Sequence, residues 1–169
     1  MSENEFLEIA KEDDIYEICQ LLKIVSEDLH NRGIKQWMNE WKMLDIREFV
    51  LKQNIYVLRF EKKGEIIGLF SLEENKLFIG QFPESLYLSK VALLPKYQRK
   101  GIGAKMIQKA IEIVHSQGKV VVLDCWNGNK KLKEYYTKIG FKYIMDLPED
   151  NYFISIFYLS YFSNKKFRV

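Results

Sequence analysis

The sequence predicts an α/β fold built on one mixed sheet, and three observations carry that prediction. Strand-like runs and amphipathic helical stretches alternate in the order βααβββαβαββ, a pattern that packs as a layered sheet with helices. The stretch Glu61-Lys62-Lys63-Gly64 joins two β-rich runs as a hairpin turn, so part of the sheet is antiparallel. Lys119 to Cys125 is almost continuously apolar, as a buried strand must be. With 169 residues the chain has enough length for one sizeable core and too little for two. We therefore read residues 1–160 as a single domain and 161–169 as a basic, aromatic tail.

Each element follows in turn. Phe6 to Ala10 alternates weakly and reads as a first strand. Asp13 or Asp14 then caps a helix whose apolar positions Ile15, Ile18, Cys19, Leu22, Val25 and Leu29 keep the helical period, and Gly33 ends it. Asp45 caps a short second helix through about Lys52. The hairpin strands are Ile55 to Phe60 and Glu65 to Leu72, and Asn75 to Ser85 is an irregular connection containing Gly80 and Pro83. Leu86 to Leu94 is the central strand. A helix from about Ile102 to His115 buries Ile102, Met106, Ile107, Ala110, Ile113 and Val114 on one side and closes at Gln117-Gly118. Asn127 to Lys138 is a lysine-rich helix closed by Gly140. Phe141 to Leu147 and Tyr152 to Leu159 form a last pair across Pro148-Glu149-Asp150-Asn151.

Bulk composition narrows the function classes. Hydrophobic residues make up 47% and charged residues 29%, ordinary for a globular protein in water. No apolar run reaches the roughly 18–20 residues that span a bilayer, and the acidic start Met1-Ser2-Glu3-Asn4-Glu5 lacks the basic opening of a secretory signal. Cys19 and Cys125 stand far apart in apolar surroundings, which suits neither a disulfide framework nor a metal site. A reducing cytoplasm is the default. A net charge of +3 is too small to argue for nucleic acid. The positive charge is clustered around Lys96 to Lys109 and at Lys130, Lys131 and Lys133, which suits a small polyanion.

The stretch from Leu86 to Val114 organises the rest. An apolar strand breaks at Pro95-Lys96-Tyr97, and Gln98-Arg99-Lys100-Gly101-Ile102-Gly103-Ala104 opens a helix. The first N–H groups of a helix have no internal partners and lie at the positive end of its dipole. Glycines let a ligand come close, so strand, glycine turn and helix together make a phosphate site. Spacing selects among such sites. A Walker loop needs Gly-Lys-Ser/Thr, and Gly103-Ala104-Lys105-Met106 does not supply it; a dinucleotide fingerprint needs a glycine where Met106 stands.

Gln98, Gly101 and Gly103 instead fit the pattern Gln/Arg-x-x-Gly-x-Gly/Ala and resemble the acetyl-CoA turn of the GNAT superfamily of N-acetyltransferases. A second stretch agrees in order and spacing: Asn129, Leu132, Tyr136, Gly140 and Phe141 resemble the Asn-to-Gly-Phe helix of the same family. The likeness is strong from Leu86 to Phe141 and rests on element order before that. It implies the GNAT fold: one mixed, mostly antiparallel sheet with a splayed parallel strand pair, flanked by about four helices. It also implies acetyl-CoA as co-substrate and no metal. Val91 and Leu93 would offer backbone groups to the pantetheine arm, and the turn Gln98, Arg99, Lys100, Gly101, Ile102, Gly103 and Ala104 would hold pyrophosphate. Asn129 would contact pantetheine and Lys133 would reach phosphate.

In the reaction so implied, a neutral amine attacks the thioester directly and a thiolate leaves, so a proton must be removed and the sulfur stabilised. Tyr136 stands where the family's general acid stands; it also reads as a packing residue. The base is not legible: Glu73, Glu74 and Glu84 could relay a proton through water or be solvated charges, and His115 lies at the wrong end of its helix. Cys125 has no paired His and reads as core. His30, Trp37 and Trp41 lie where such enzymes build the acceptor wall, although both tryptophans also suit the core. Leu123-Asp124-Cys125-Trp126 departs from the run typical of ribosomal-protein N-terminal acetyltransferases, which puts a small primary amine ahead of a protein or peptide amine and of a non-catalytic acyl-CoA sensor. No nucleic acid or membrane partner is expected, and a homodimer stays open.

Overall fold

The computed structural model describes residues 5–74 and 84–161. The expected connection from Asn75 and the tail beyond Tyr161 lie outside the described residues, save for Glu84 and Ser85. The strands are β1 (Phe6–Ile9), β2 (Ile55–Arg59), β3 (Ile66–Glu74), β4 (Ser85–Leu93), β5 (Val120–Trp126), β6 (Lys142–Glu149) and β7 (Tyr152–Leu159). The helices are α1 (Ile15–Asn31), α2 (Met43–Leu51), α3 (Ile102–Ser116) and α4 (Lys130–Lys138). Their order is the one the sequence predicts.

Boundaries differ where a side chain is used for something other than its local signal. Asp14 precedes α1, but its carboxylate accepts the Lys11 backbone N–H at 2.8 Å and pairs with Arg59 rather than capping the helix. Asp45 does not cap α2, which starts at Met43 after Lys42; Asp45 lies in the first turn, where its charge favours the helix dipole. Helix α4 begins at Lys130 because Asn129 caps it. Strands β6 and β7 turn over Asp150-Asn151 alone, with Asp150 left-handed at φ 45°, as tight hairpins require.

The sheet order is β1-β2-β3-β4-β5-β7-β6, and every neighbouring pair is antiparallel except β4 and β5. That parallel pair runs from Ser85 opposite Val120 to Leu88 opposite Leu123, then stops, although β4 continues to Leu93 and β5 to Trp126. The sheet is splayed there. Helices α3 and α4 cover one face, where Met106, Ala110, Val114 and Tyr136 pack on Phe70, Leu88, Leu123 and Phe157. Helices α1 and α2 cover the other around β2 to β4, with Ile18, Leu22, Ile46 and Val50 on Ile55, Val57, Leu69 and Ala92. The same face of β5 and β7 carries only a small cluster, Val122, Ile154 and Ile156.

Candidate active site

The glycine turn begins where β4 ends. A short 3-10 turn over Pro95–Tyr97 redirects the chain, Arg99 (φ 60°) and Gly101 (φ 80°) take left-handed conformations, and α3 starts at Ile102. The Gln98 N–H is used on Pro95 and the Lys105 N–H on Gly101, but among the described residues no backbone bond takes up the six N–H groups from Arg99 to Ala104. Six adjacent donors at a helix start form an anion site. Gly101 is required by its conformation. Gly103 is helical, and a Cβ there would meet nothing within 4 Å. Among the described residues nothing packs against that Cβ position, which leaves open space beside the amides. Lys100 and Lys105 are exposed at the rim. The Gln98 side chain turns inward and donates to the Leu93 carbonyl at 2.9 Å, bracing the turn.

Strand β4 lines the gap with backbone. Leu94 donates its N–H to Ile67 on β3, so the period-two alternation turns the main-chain groups of Val91 and Leu93 toward the side where β5 has splayed away. At the far side Asn129 accepts the Leu132 N–H at 3.2 Å through its Oδ1, and Lys133 donates to the Asn127 carbonyl at 3.3 Å. These two hold the β5–α4 junction, so Asn129 has only its amide nitrogen left to offer, and the Lys133 ammonium is turned to the end of β5.

Tyr136 is 4% exposed, enclosed by the rings of Tyr135, Phe141 and Phe157. Burial pushes its phenol above the ordinary value, with Cys125, Asp124 and Tyr135 adding to the rise. It therefore stays protonated throughout the neutral range. Burial first, and Asp124 second, push the Cys125 thiol up to about 12, so it stays a thiol and is no nucleophile.

Sequence reasoning missed Asp124. It lies on β5 immediately after the last residue paired with β4, and its carboxylate accepts the Tyr87 hydroxyl from β4. Burial raises its pKa from 3.8 to about 7, and the Glu149 carboxylate on β6 pushes the same way. Tyr152 on β7 senses Glu149, Asp124 and Asp150, and its hydroxyl meets the backbone of Trp37. The one signal in the sequence was a lone acid inside an otherwise apolar strand.

The residues expected to build the acceptor wall divide. The His30 ring nitrogen sits 3.1 Å from the carbonyls of both Gln36 and Trp37 and ties down the loop after α1. Trp37 and Trp41 meet edge to face at 5.5 Å and pack on the α1/α2 core, with the Trp41 indole donating to Ser26 at 3.0 Å. The Trp37 backbone meets the Tyr152 hydroxyl on β7, and Asn39 donates to Asp150 at 3.0 Å. Glu73 is no solvated charge: it accepts from Ser71, Ser89 and Lys90 at 2.6, 2.7 and 2.7 Å. Burial opposes its charge, but these bonds prevail and hold its carboxyl below the usual range. It is committed to Lys90 and poorly placed to serve as a base.

A splayed parallel pair with an amide-lined glycine turn at its mouth is the arrangement the sequence resemblance leads one to expect. The chain belongs to the acetyltransferase (GNAT) family, whose model matches residues 8–141, and it is an acetyl-CoA-dependent N-acetyltransferase. It is 27% identical over 143 residues, 78% of each chain, to the uncharacterized N-acetyltransferase YesJ of Bacillus subtilis. Among solved structures it resembles yncA of Salmonella typhimurium with its cofactor acetyl-CoA (19% identity, TM-score 0.72, 94% and 95% of the two chains). It also resembles a spermidine N-acetyltransferase SpeG chimera from Vibrio cholerae and hSSAT (18%, 0.73, 98% and 100%). A third likeness is to the ribosomal-protein-S18-alanine N-acetyltransferase of Escherichia coli (13%, 0.69, 92% of each). Among the described residues no helix is long and apolar enough to cross a membrane, and no cluster of His, Cys, Asp and Glu could hold a metal ion.

Proposed function

We propose that the chain acetylates a small primary amine by direct attack, with Asp124 accepting the proton the amine must lose and Tyr136 donating to the departing sulfur. Acetyl-CoA supplies an activated carbonyl carbon and a thiolate leaving group. The turn amides from Arg99 to Ala104 would hold its pyrophosphate and the Val91 and Leu93 backbone its arm. The observation that carries the reading is the place of Asp124, a half-buried carboxyl just past the last β5 residue paired with β4 that accepts the Tyr87 hydroxyl across the two strands.

Magnitudes favour this base. An alkylammonium near 10.4 passing its proton to a carboxylate at 3.8 climbs about 9 kcal/mol, at about 1.36 kcal/mol per pKa unit. With the acceptor at about 7 the climb falls to about 5 kcal/mol. Hydrogen bonding to Tyr87 fixes the carboxylate's direction. Tyr136 suits the other role, because a phenol that stays protonated can give a hydrogen bond to a forming thiolate.

Support for a small amine comes from the acceptor side. Asn39 to Asp150 and Trp37 to Tyr152 tether the loop after α1 to the β6–β7 turn, beside Asp124. Glu149 and Asp150 add negative charge there, which draws a protonated amine. Fold alone does not choose, since neighbours of the same shape are named for spermidine and for a ribosomal protein. The test is thiol release from acetyl-CoA with a panel of mono- and diamines, polyamines and peptides bearing free N-termini or lysines. Small amines should exceed the peptides in kcat/KM by at least tenfold; peptides in the lead would reject the substrate class, and silence with every amine would reject the catalytic reading.

A further inference from the structure

Strand β4 carries an irregularity that the reaction scheme does not use. Ser89 pairs with Ser71 and Ala92 with Leu69, so three steps on β4 span two on β3, and the extra residue forms a bulge. Lys90 lies in it with φ 52°, a left-handed conformation that L side chains rarely adopt. Strain of this kind persists only where the surroundings over-determine it. Here they do. The Lys90 side chain is 9% exposed, and its ammonium is 2.7 Å from Glu73 Oε1, 3.2 Å from Ser89 Oγ, 3.5 Å from Ser71 Oγ and 3.7 Å from the centre of the Phe49 ring.

The bulge falls at a telling place. The parallel ladder between β4 and β5 ends at Leu88, two residues before Lys90, and Val91, whose backbone faces the gap, comes one residue after it. A bulge bends its strand and increases the local twist, so the conformation of Lys90 sets how far β4 leaves β5 and where the Val91 N–H and carbonyl point.

We propose that Lys90 is a positioning residue: clamped by Glu73, Ser71, Ser89 and the face of Phe49, it holds the bulge that opens the β4–β5 gap and aims the Val91 backbone at the acyl end of the carrier. The proposal rests on the carrier lying in that gap, and not on Asp124, Tyr136 or the acceptor's identity. It concerns aim rather than grip, because the pyrophosphate amides belong to a separate stretch, Arg99 to Ala104. Removing the clamp should therefore lower turnover while leaving coenzyme A binding in place.

The experiment compares Lys90→Met, Lys90→Gly and Lys90→Arg with the parent in two measurements: coenzyme A affinity by calorimetry, and kcat with the best amine of the panel. Lys90→Met and Lys90→Gly should each lose at least tenfold in kcat with coenzyme A affinity unchanged within threefold, and Lys90→Arg, which keeps a cation for Glu73, should recover at least a third of the parent kcat. Glycine adopts the left-handed conformation freely, so a full loss in Lys90→Gly isolates the side-chain clamp from the backbone need and serves even if Lys90→Met fails to fold. Retained kcat in the glycine variant overturns the proposal. So does a fall in coenzyme A affinity that matches the fall in kcat, since that is lost grip, or failure of arginine to recover turnover. Failure of the carrier itself to bind the parent would instead strike the gap reading.

Discussion

From Arg99 to Ala104, six adjacent residues present their own backbone N–H groups, whereas on the other side of the gap Tyr87, Asp124, Glu149 and Tyr152 come from four different strands. The first region needs only a local conformation, set by one left-handed glycine, a second glycine with open space beside it, and a helix start. The second needs the whole right half of the sheet in register before its groups meet. A ligand common to a family can be held by local backbone; an acceptor particular to one protein is met by side chains that only the tertiary fold assembles. If this contrast is sound, damage to the first region should affect carrier binding alone, and damage to the second should affect the chemistry and its pH dependence.

The largest effect is expected at Gly103. A Cβ there meets nothing within 4 Å, and valine is at least as good a helix former as glycine, so the melting temperature should hold. The side chain would occupy the room beside the amides. Losing about two charge-assisted hydrogen bonds costs about 3 kcal/mol, or roughly a 100-fold rise in the KM for acetyl-CoA. An unchanged KM would mean that the carrier does not approach this turn.

Asp124→Asn comes next. Proton removal by a positioned base contributes on the order of 100-fold or more, so kcat should fall by about that factor with the KM for acetyl-CoA unmoved. Stability should change in the opposite sense. The folded carboxyl titrates at about 7 against 3.8 unfolded, so the native state holds the extra proton and stability declines as pH rises between those values. The asparagine variant escapes this loss and should melt higher than the parent at pH 8, by at most about 4 kcal/mol of stability, the difference shrinking toward pH 4. Parent kcat should rise with pH through a value near 7 and the variant's should not. A variant that loses turnover and stability together at pH 8 would make Asp124 a structural residue.

Tyr136→Phe should lose about tenfold in kcat, with acetyl-CoA affinity intact. The ring contacts with Phe141 and Phe157 survive the substitution, which makes it a clean removal of one hydroxyl. Undiminished turnover would leave the residue as packing only.

What could be read from the chain follows the same division. The element order was legible because apolar periodicity and turn residues are local signals, and Val91 and Leu93 came from the resemblance to the family's strand and glycine turn. Gln98 and Asn129 fit the family's spacing, yet their side chains are spent on the Leu93 carbonyl and the Leu132 N–H; a motif records a position and not which atom is free. Asp124 was illegible as a base because its pKa arises from burial and from Glu149, twenty-five residues away and two strands across the sheet. Glu73 looked like a surface charge because its partner Lys90 lies across β3 and β4, a pairing set by the bulge.

The smallest effect should separate the two readings of the tryptophans. Trp41 is half-buried against α1 and α2, and its indole N–H donates to Ser26, which is itself buried. Trp41→Phe keeps most of the ring and deletes that donor, which costs about 1 kcal/mol, or about 3 °C in a domain of this size. Turnover per folded molecule, and the ranking of the amine panel, should stay within twofold, because the Trp41 ring is engaged with Trp37, Ser26 and the α1/α2 core; the loop's bonds to Tyr152 and Asp150 run through the Trp37 backbone and Asn39. A changed amine ranking with an unchanged melting temperature would move Trp41 from the core to the acceptor wall. The comparison would then need redrawing, since part of the acceptor region would be as local as the glycine turn.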